Sequence, residues 1–195
     1  MLDELHRDGV EHDEGKSDRL ERRRNVESDT ARVLALLVRA TAARRVLELG
    51  TSNGYSTIWL ADAVRGVGGR LLSVDVDMVR SREAARNLDR GGVRERVELR
   101  VEDAALTLRK SPEGAWDVIF LDAERSAYAG YWPDLLRVLR PGGLLAVDNV
   151  LSHAEEVREL RALVNAEERV SEALVPTGAG LLLIVLAPTA AEPGE

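Results

Sequence analysis

Apolar residues recur along this chain in two alternating rhythms: short unbroken runs, and stripes spaced three to four apart. Glycine and proline separate them. Runs of the first kind at Arg45–Leu49, Leu71–Asp75, Val97–Val101, Trp116–Leu121 and Leu144–Val147 predict buried strands. Helical spacing predicts helices over Tyr55–Val64, Met78–Arg90, Ala104–Arg109 and from about Ser126 to Leu139, with Pro133 bending or splitting the last. Another helix precedes the first strand, with Ser28 as its N-cap and Val33, Leu34, Leu37 and Val38 as its stripe. The Gly91-Gly92 pair stops one helix, and Arg140-Pro141-Gly142-Gly143 reads as a turn into the fifth strand. After a helix near Ala154–Asn165, runs at Arg169–Val175 and Gly180–Leu186 flank Pro176-Thr177-Gly178 and predict an antiparallel hairpin.

Five strands alternating with helices imply an α/β fold with a parallel sheet and helices on both faces. The hairpin brings the sheet to seven strands, mostly parallel. One domain is expected over residues 27–187, after a charged segment 1–26 and before a tail 188–195. The opening segment shows no clean repeat and reads as frayed or as a short helix around Ser17–Arg24. Its Arg22, Arg23 and Arg24 read either as a solvated helix face or as a contact for a partner or an acidic substrate.

Composition works by exclusion. The absence of cysteine removes disulfides, thiolate metal sites and cysteine nucleophiles. A net charge of −7 argues against sequence-independent binding to nucleic acid, leaving only a local basic patch open. The longest apolar run, Leu181–Ala187, is too short to span a bilayer, and the polar N-terminus does not resemble a signal peptide. No membrane association and a cytoplasmic location are the default expectations.

In an open α/β sheet, ligands bind beyond the carboxyl ends of the strands. Those positions carry Glu48 just inside the first strand, then Asp75, Asp103, Asp122 and the pair Asp148-Asn149. The first turn runs Glu48-Leu49-Gly50-Thr51-Ser52-Asn53-Gly54-Tyr55-Ser56. Its Gly-x-x-x-Gly spacing is not the Gly-x-Gly-x-x-Gly of a dinucleotide pyrophosphate cradle. Asp75, 25 positions after Gly50, is placed to accept hydrogen bonds from ribose hydroxyls. Together these features suggest an adenosine-bearing cofactor without a diphosphate cradle. Asp122, Asp148 and Asn149 supply three hard oxygens of the kind magnesium takes. The plainer alternative is that Asp122 caps a helix, Asp148-Asn149 shapes a turn, and Asp103 is an N-cap.

The stretch Val46–Ala61 (VLELGTSNGYSTIWLA) resembles the first motif of class I S-adenosylmethionine (SAM)-dependent methyltransferases, whose fold is Rossmann-like. Leu121–Leu151 (LDAERSAYAGYWPDLLRVLRPGGLLAVDNVL) is similar to the metal-dependent O-methyltransferases, including the catechol and caffeoyl-CoA enzymes. The resemblance covers roughly Ser28 to Leu186. It implies that Glu48, Gly50 and Ser56, in a turn that also offers Ser52, Gly54 and Tyr55, hold the amino-acid end of SAM. It further implies that Asp75 binds the ribose and Asp103 the adenine region. Asp122, beside the cofactor, joins Asp148 and Asn149 around Mg2+ or another divalent cation. The implied acceptor is a small, catechol-like hydroxylated aromatic, and a homodimer is expected.

Known members carry a lysine, proposed as general base, three positions after the first aspartate, where this chain has Arg125. Arginine stays protonated and takes no proton at working pH. It remains able to stabilise a developing phenolate or to bind a substrate anion. His153 is then the candidate base, or an ordinary surface histidine. Tyr128 and Trp132, four apart, are expected either to wall an aromatic substrate or to pack their helix on the sheet. The alternative functions are a metal-independent or RNA-nucleoside SAM methyltransferase and a non-catalytic SAM-binding protein.

Overall fold

The computed structural model describes residues 1–14, 16 and 25–188. The expected helix around Ser17–Arg24, with its arginine cluster, lies outside the described residues, as does most of the C-terminal tail. The elements run α1 (Leu2–Asp13), α2 (Ser28–Ala40), β1 (Arg45–Leu49), α3 (Tyr55–Gly66), β2 (Arg70–Asp75), α4 (Met78–Arg90) and β3 (Val97–Val101). They continue through α5 (Ala104–Lys110), β4 (Trp116–Leu121), α6 (Tyr128–Val138), β5 (Leu139–Val147), α7 (Arg158–Ala166), β6 (Val170–Val175) and β7 (Leu181–Leu186).

The seven strands form one sheet in the order β3-β2-β1-β4-β5-β7-β6. The first five are parallel and β7 is antiparallel to both β5 and β6. Alternating side chains of each strand feed two cores. One holds Val46, Leu71, Val118 and Phe120 against α2 and α3. The other holds Leu47, Leu49, Ile119 and Leu121 against α6 and α7. Each fully buried leucine, such as Leu47 or Leu49, stabilises the fold by about 1.5–3 kcal/mol. Strand order reverses at β1, which lies between β2 and β4, so the crevice above it is where a ligand belongs.

Four expectations need correction. Residues 2–13 form a helix, α1, where no repeat was legible, because its apolar stripe is little more than Leu2 and Leu5. Ser28 is the first helical residue of α2 and not its cap; Glu27 holds that place and makes no side-chain capping bond. The fifth strand begins at Leu139 and not Leu144. Leu139 pairs with Trp116 and Leu144 with Val118, so Arg140–Gly143 bulges out of the ladder. The helix expected from Ala154 starts only at Arg158, because Leu151 and Ser152 donate their N–H groups to Ala179 O and hold the preceding turns against the hairpin loop.

Candidate active site

The first turn is built by contacts that side chains would block. Gly50 has φ +108°, and a Cβ there would sit 2.0 Å from the Asp122 carbonyl oxygen. Gly54, the N-cap of α3 at φ +86°, lies against Ala84, 3.0 Å from where its own Cβ would be. Ser52 and Asn149 also take left-handed backbone, at φ 48° and 65°, and both face the crevice. Left-handed serine is strained, and such strain gathers at functional loops.

Two carboxylates pin this turn. Asp75 Oδ2 accepts the N–H groups of Thr51 at 3.1 Å and Ser52 at 2.8 Å, while Oδ1 accepts that of Asp77 at 2.9 Å. Glu48 has no exposed surface and accepts three hydroxyls: Ser56 at 2.5 Å, and Thr57 and Ser73 at 2.6 Å each. Burial pushes the Glu48 carboxyl up to about 7, against the pull of those hydroxyls and with some help from the Asp122 charge.

Above the turn lies a cavity of about 520 Å³. The structure brings ten of the thirteen candidate residues to its wall: Gly50, Ser52, Tyr55, Ser56, Asp75, Asp103, Asp122, Arg125, Asn149 and His153. Glu48, Gly54 and Asp148 sit behind it. Asp103 caps α5 by accepting the Leu106 N–H at 3.2 Å, so its plainer role is real, and it still borders the cavity. Of the aromatics, Tyr128 and Trp132 pack the core, with the Tyr128 hydroxyl donating to Ala123 O at 3.1 Å. Tyr131, between them in sequence, faces the cavity instead.

Asp122 ends β4, and Asp148-Asn149 follows β5. Asn149 Nδ2 lies 3.0 Å from Asp122 Oδ1 and 3.1 Å from Asp148 Oδ2, so the three side chains converge. Asp148 is 2% exposed, and its Oδ1 is buried without a hydrogen-bond partner among the described residues. Burial, and then the Asp122 charge, holds the Asp148 carboxyl well above the usual carboxylate range. Two crowded carboxylates with an orphaned buried oxygen fit a hard divalent cation, and the Asn149 amide turned end for end would offer Oδ1 to it.

Arg125 is 3% exposed, and its Nε donates to Glu156 Oε2 at 2.9 Å. Its Nη2 is buried with no acceptor among the described residues. His153 Nδ1 lies 2.8 Å from Ser152 Oγ. The cavity also takes Asn25 and Val26, which sequence reasoning missed. Asn25 donates from Nδ2 to Leu5 O at 3.2 Å, and its Oδ1 is buried without a partner among the described residues. Only the packing of α1 brings it there, and no local pattern announces that.

The model of a family described as O-methyltransferase matches residues 2–186. A catechol O-methyltransferase of Niastella koreensis is 36% identical over 138 residues, 69% of this chain and 62% of that protein. One from Mycobacterium tuberculosis is 40% identical over 128 residues, 65% of this chain and 57% of that protein. The matched stretch thus spans about three fifths of these two relatives. Among solved structures, a putative O-methyltransferase from Klebsiella pneumoniae superposes with a TM-score of 0.80 at 31% identity, covering 95% of this chain and 89% of its own. The Bacillus cereus O-methyltransferase in complex with SAH superposes with a TM-score of 0.78 at 28% identity, covering 95% and 90%.

Proposed function

The chain belongs to the O-methyltransferase family, and on that premise we propose that it transfers the methyl group of SAM to a hydroxyl oxygen of a small, catechol-like aromatic, using a divalent cation. The observation that carries this reading is the convergence of Asp122, Asp148 and Asn149 beside a cavity framed by the glycine turn.

The reaction is an in-line displacement. The acceptor oxygen forms a bond to the methyl carbon as the carbon–sulfur bond breaks. The electron pair stays on sulfur, which leaves SAH. A phenol with a pKa near ~10 is a weak nucleophile at neutral pH, so its proton must be made easier to lose. A divalent cation held by Asp122, Asp148 and Asn149 would supply that acidification and a fixed position for the acceptor.

The chain's own residues do the rest. Asp75 spends three of roughly four lone-pair sites on backbone N–H groups and keeps one for a ribose hydroxyl. Ser56 donates to buried Glu48, which turns its lone pairs toward the methionine ammonium of SAM; Glu48 acts through it. Asp103 and Tyr131 border the adenine and acceptor regions. Arg125, oriented by Glu156, stabilises the developing phenolate and stays protonated throughout. His153 on the cavity wall receives the acceptor proton.

The test is methyl transfer from SAM to a 3,4-dihydroxy aromatic, with magnesium or with chelator, for the native chain and Asp148→Ala. Turnover should need magnesium and fall by about 100-fold or more in the variant, while SAM still binds. Equal turnover in chelator would remove the cation from the mechanism. SAM binding with no transfer to any hydroxylated acceptor would remove the catalytic reading.

A further inference from the structure

The opposite end of the sheet holds a second cavity that methyl transfer does not use. It measures about 400 Å³ and opens where β1, β2 and β3 begin, beside α5. With seven residues, α5 is too short to cover these strand starts, which leaves Leu71, Leu72 and Val97 in the floor. Arg45, Arg70, Arg96, Arg100 and Lys110 line it, against a single lining carboxylate, Glu98.

That arrangement works against the fold. Arg45 and Arg70 are direct partners across β1 and β2, and Arg96 immediately precedes Val97, the partner of Leu71. Like charges on neighbouring strands destabilise a sheet. Nearby carboxylates offset them only in part. Asp117 takes Arg45 and Arg140, both at 2.9 Å. Glu102 takes Lys110 at 2.6 Å and Arg100 at 3.9 Å, Glu98 takes Arg100 at 2.5 Å, and Glu95 takes Arg96 at 3.3 Å. Five cations thus share four carboxylates, and a sixth, Arg70, has none among the described residues. The chain as a whole is acidic, at −7, so the surplus here is local.

The remaining wall is formed by Thr107, Ser111, Pro112 and Trp116. Trp116 donates from Nε1 to Ser111 Oγ at 3.1 Å, which fixes the indole ring beside Pro112. Guanidinium forks match phosphate oxygens, and a fixed indole offers a planar ring a face to lie on. The volume falls within the roughly 300–1,000 Å³ of small-molecule sites. We propose that this cleft binds a small phosphate ester carrying a planar ring, of mononucleotide size, independently of the methyl-transfer pocket.

Calorimetric titration with UMP, with and without SAH, tests the assignment. Saturable one-to-one binding is expected in both cases, weakening as salt rises. Inorganic phosphate should bind about tenfold more weakly, for want of the ring. Joint Arg70→Glu and Arg96→Glu should lose at least about tenfold in UMP affinity, while Arg70→Lys with Arg96→Lys keeps most of it. The charge-reversed chain should melt no lower than the native one, since it relieves the repulsion between Arg45 and Arg70, and should methylate unchanged. Absence of saturable UMP binding, equal affinity for phosphate and UMP, or unchanged affinity in a folded charge-reversed chain would each overturn the proposal.

Discussion

At the residue scale, Glu48 shows how a sequence signature separates from its physical duty. Its place at the end of β1 was legible; the three hydroxyls around it, from α3 and β2, were not, because they converge only on folding. The same holds for Arg125. Its departure from lysine stands in the sequence, whereas Glu156, 31 positions away, appears as its partner only in the fold. Glu48 also has a measurable consequence. Its folded-state value of about 7 exceeds the ordinary 4.5, so the folded chain holds a proton that the unfolded chain releases earlier. Its contribution to stability is whole below pH 4.5 and drains away as pH climbs toward 7, at about 1.4 kcal/mol per pH unit. Glu48→Gln, which never ionises, should reduce the slope in urea unfolding measured from pH 4.5 to 7 by that share, leaving the part that the raised Asp148 carboxyl adds with the same sign. An unchanged slope would place the proton elsewhere.

At the scale of elements, strands and crossover helices were read almost to the residue, since each carries its own hydrophobic period. The errors cluster where structure depends on distant partners. The Arg140–Gly143 bulge is set by pairing with Trp116 and Val118, and α1 is set by its seat on the domain. That seat includes Gly9, where a Cβ would lie 2.2 Å from Asn25 Nδ2. Gly9→Ala gains about 1 kcal/mol in helix propensity and loses the Asn25–Leu5 hydrogen bond, worth about as much. The melting temperature should therefore hardly move. Displacing Asn25 from the cavity wall should still weaken SAH binding, as read by titration. Unchanged affinity would mean that Asn25 has no part in cofactor binding.

At the scale of the molecule, one sheet presents two unlike ends. The carboxyl ends of its parallel strands open on a pocket lined by Asp75, Asp103, Asp122 and Glu124 against Arg80 and Arg125; Glu102 borders it too, but its charge is taken by Lys110 and Arg100 of the cleft. The other end carries the arginine-lined cleft. The first was foreseeable, because strand ends in this topology are where ligands go. The second was not, because its arginines are scattered from residue 45 to residue 100 and become neighbours only by strand pairing. No helix among the described residues is long and apolar enough to cross a membrane, so neither end is tied to a bilayer by such a span.

This polarity gives the molecule a preferred way to lie on a charged solid. On silica or another anionic bead it should settle arginines down, with its acidic mouth open to the medium. On a quaternary-ammonium bead it should adsorb mouth down and shut its own entrance. Equal amounts of adsorbed protein should then release SAH at different rates, faster from silica, and the gap should close as salt loosens both attachments.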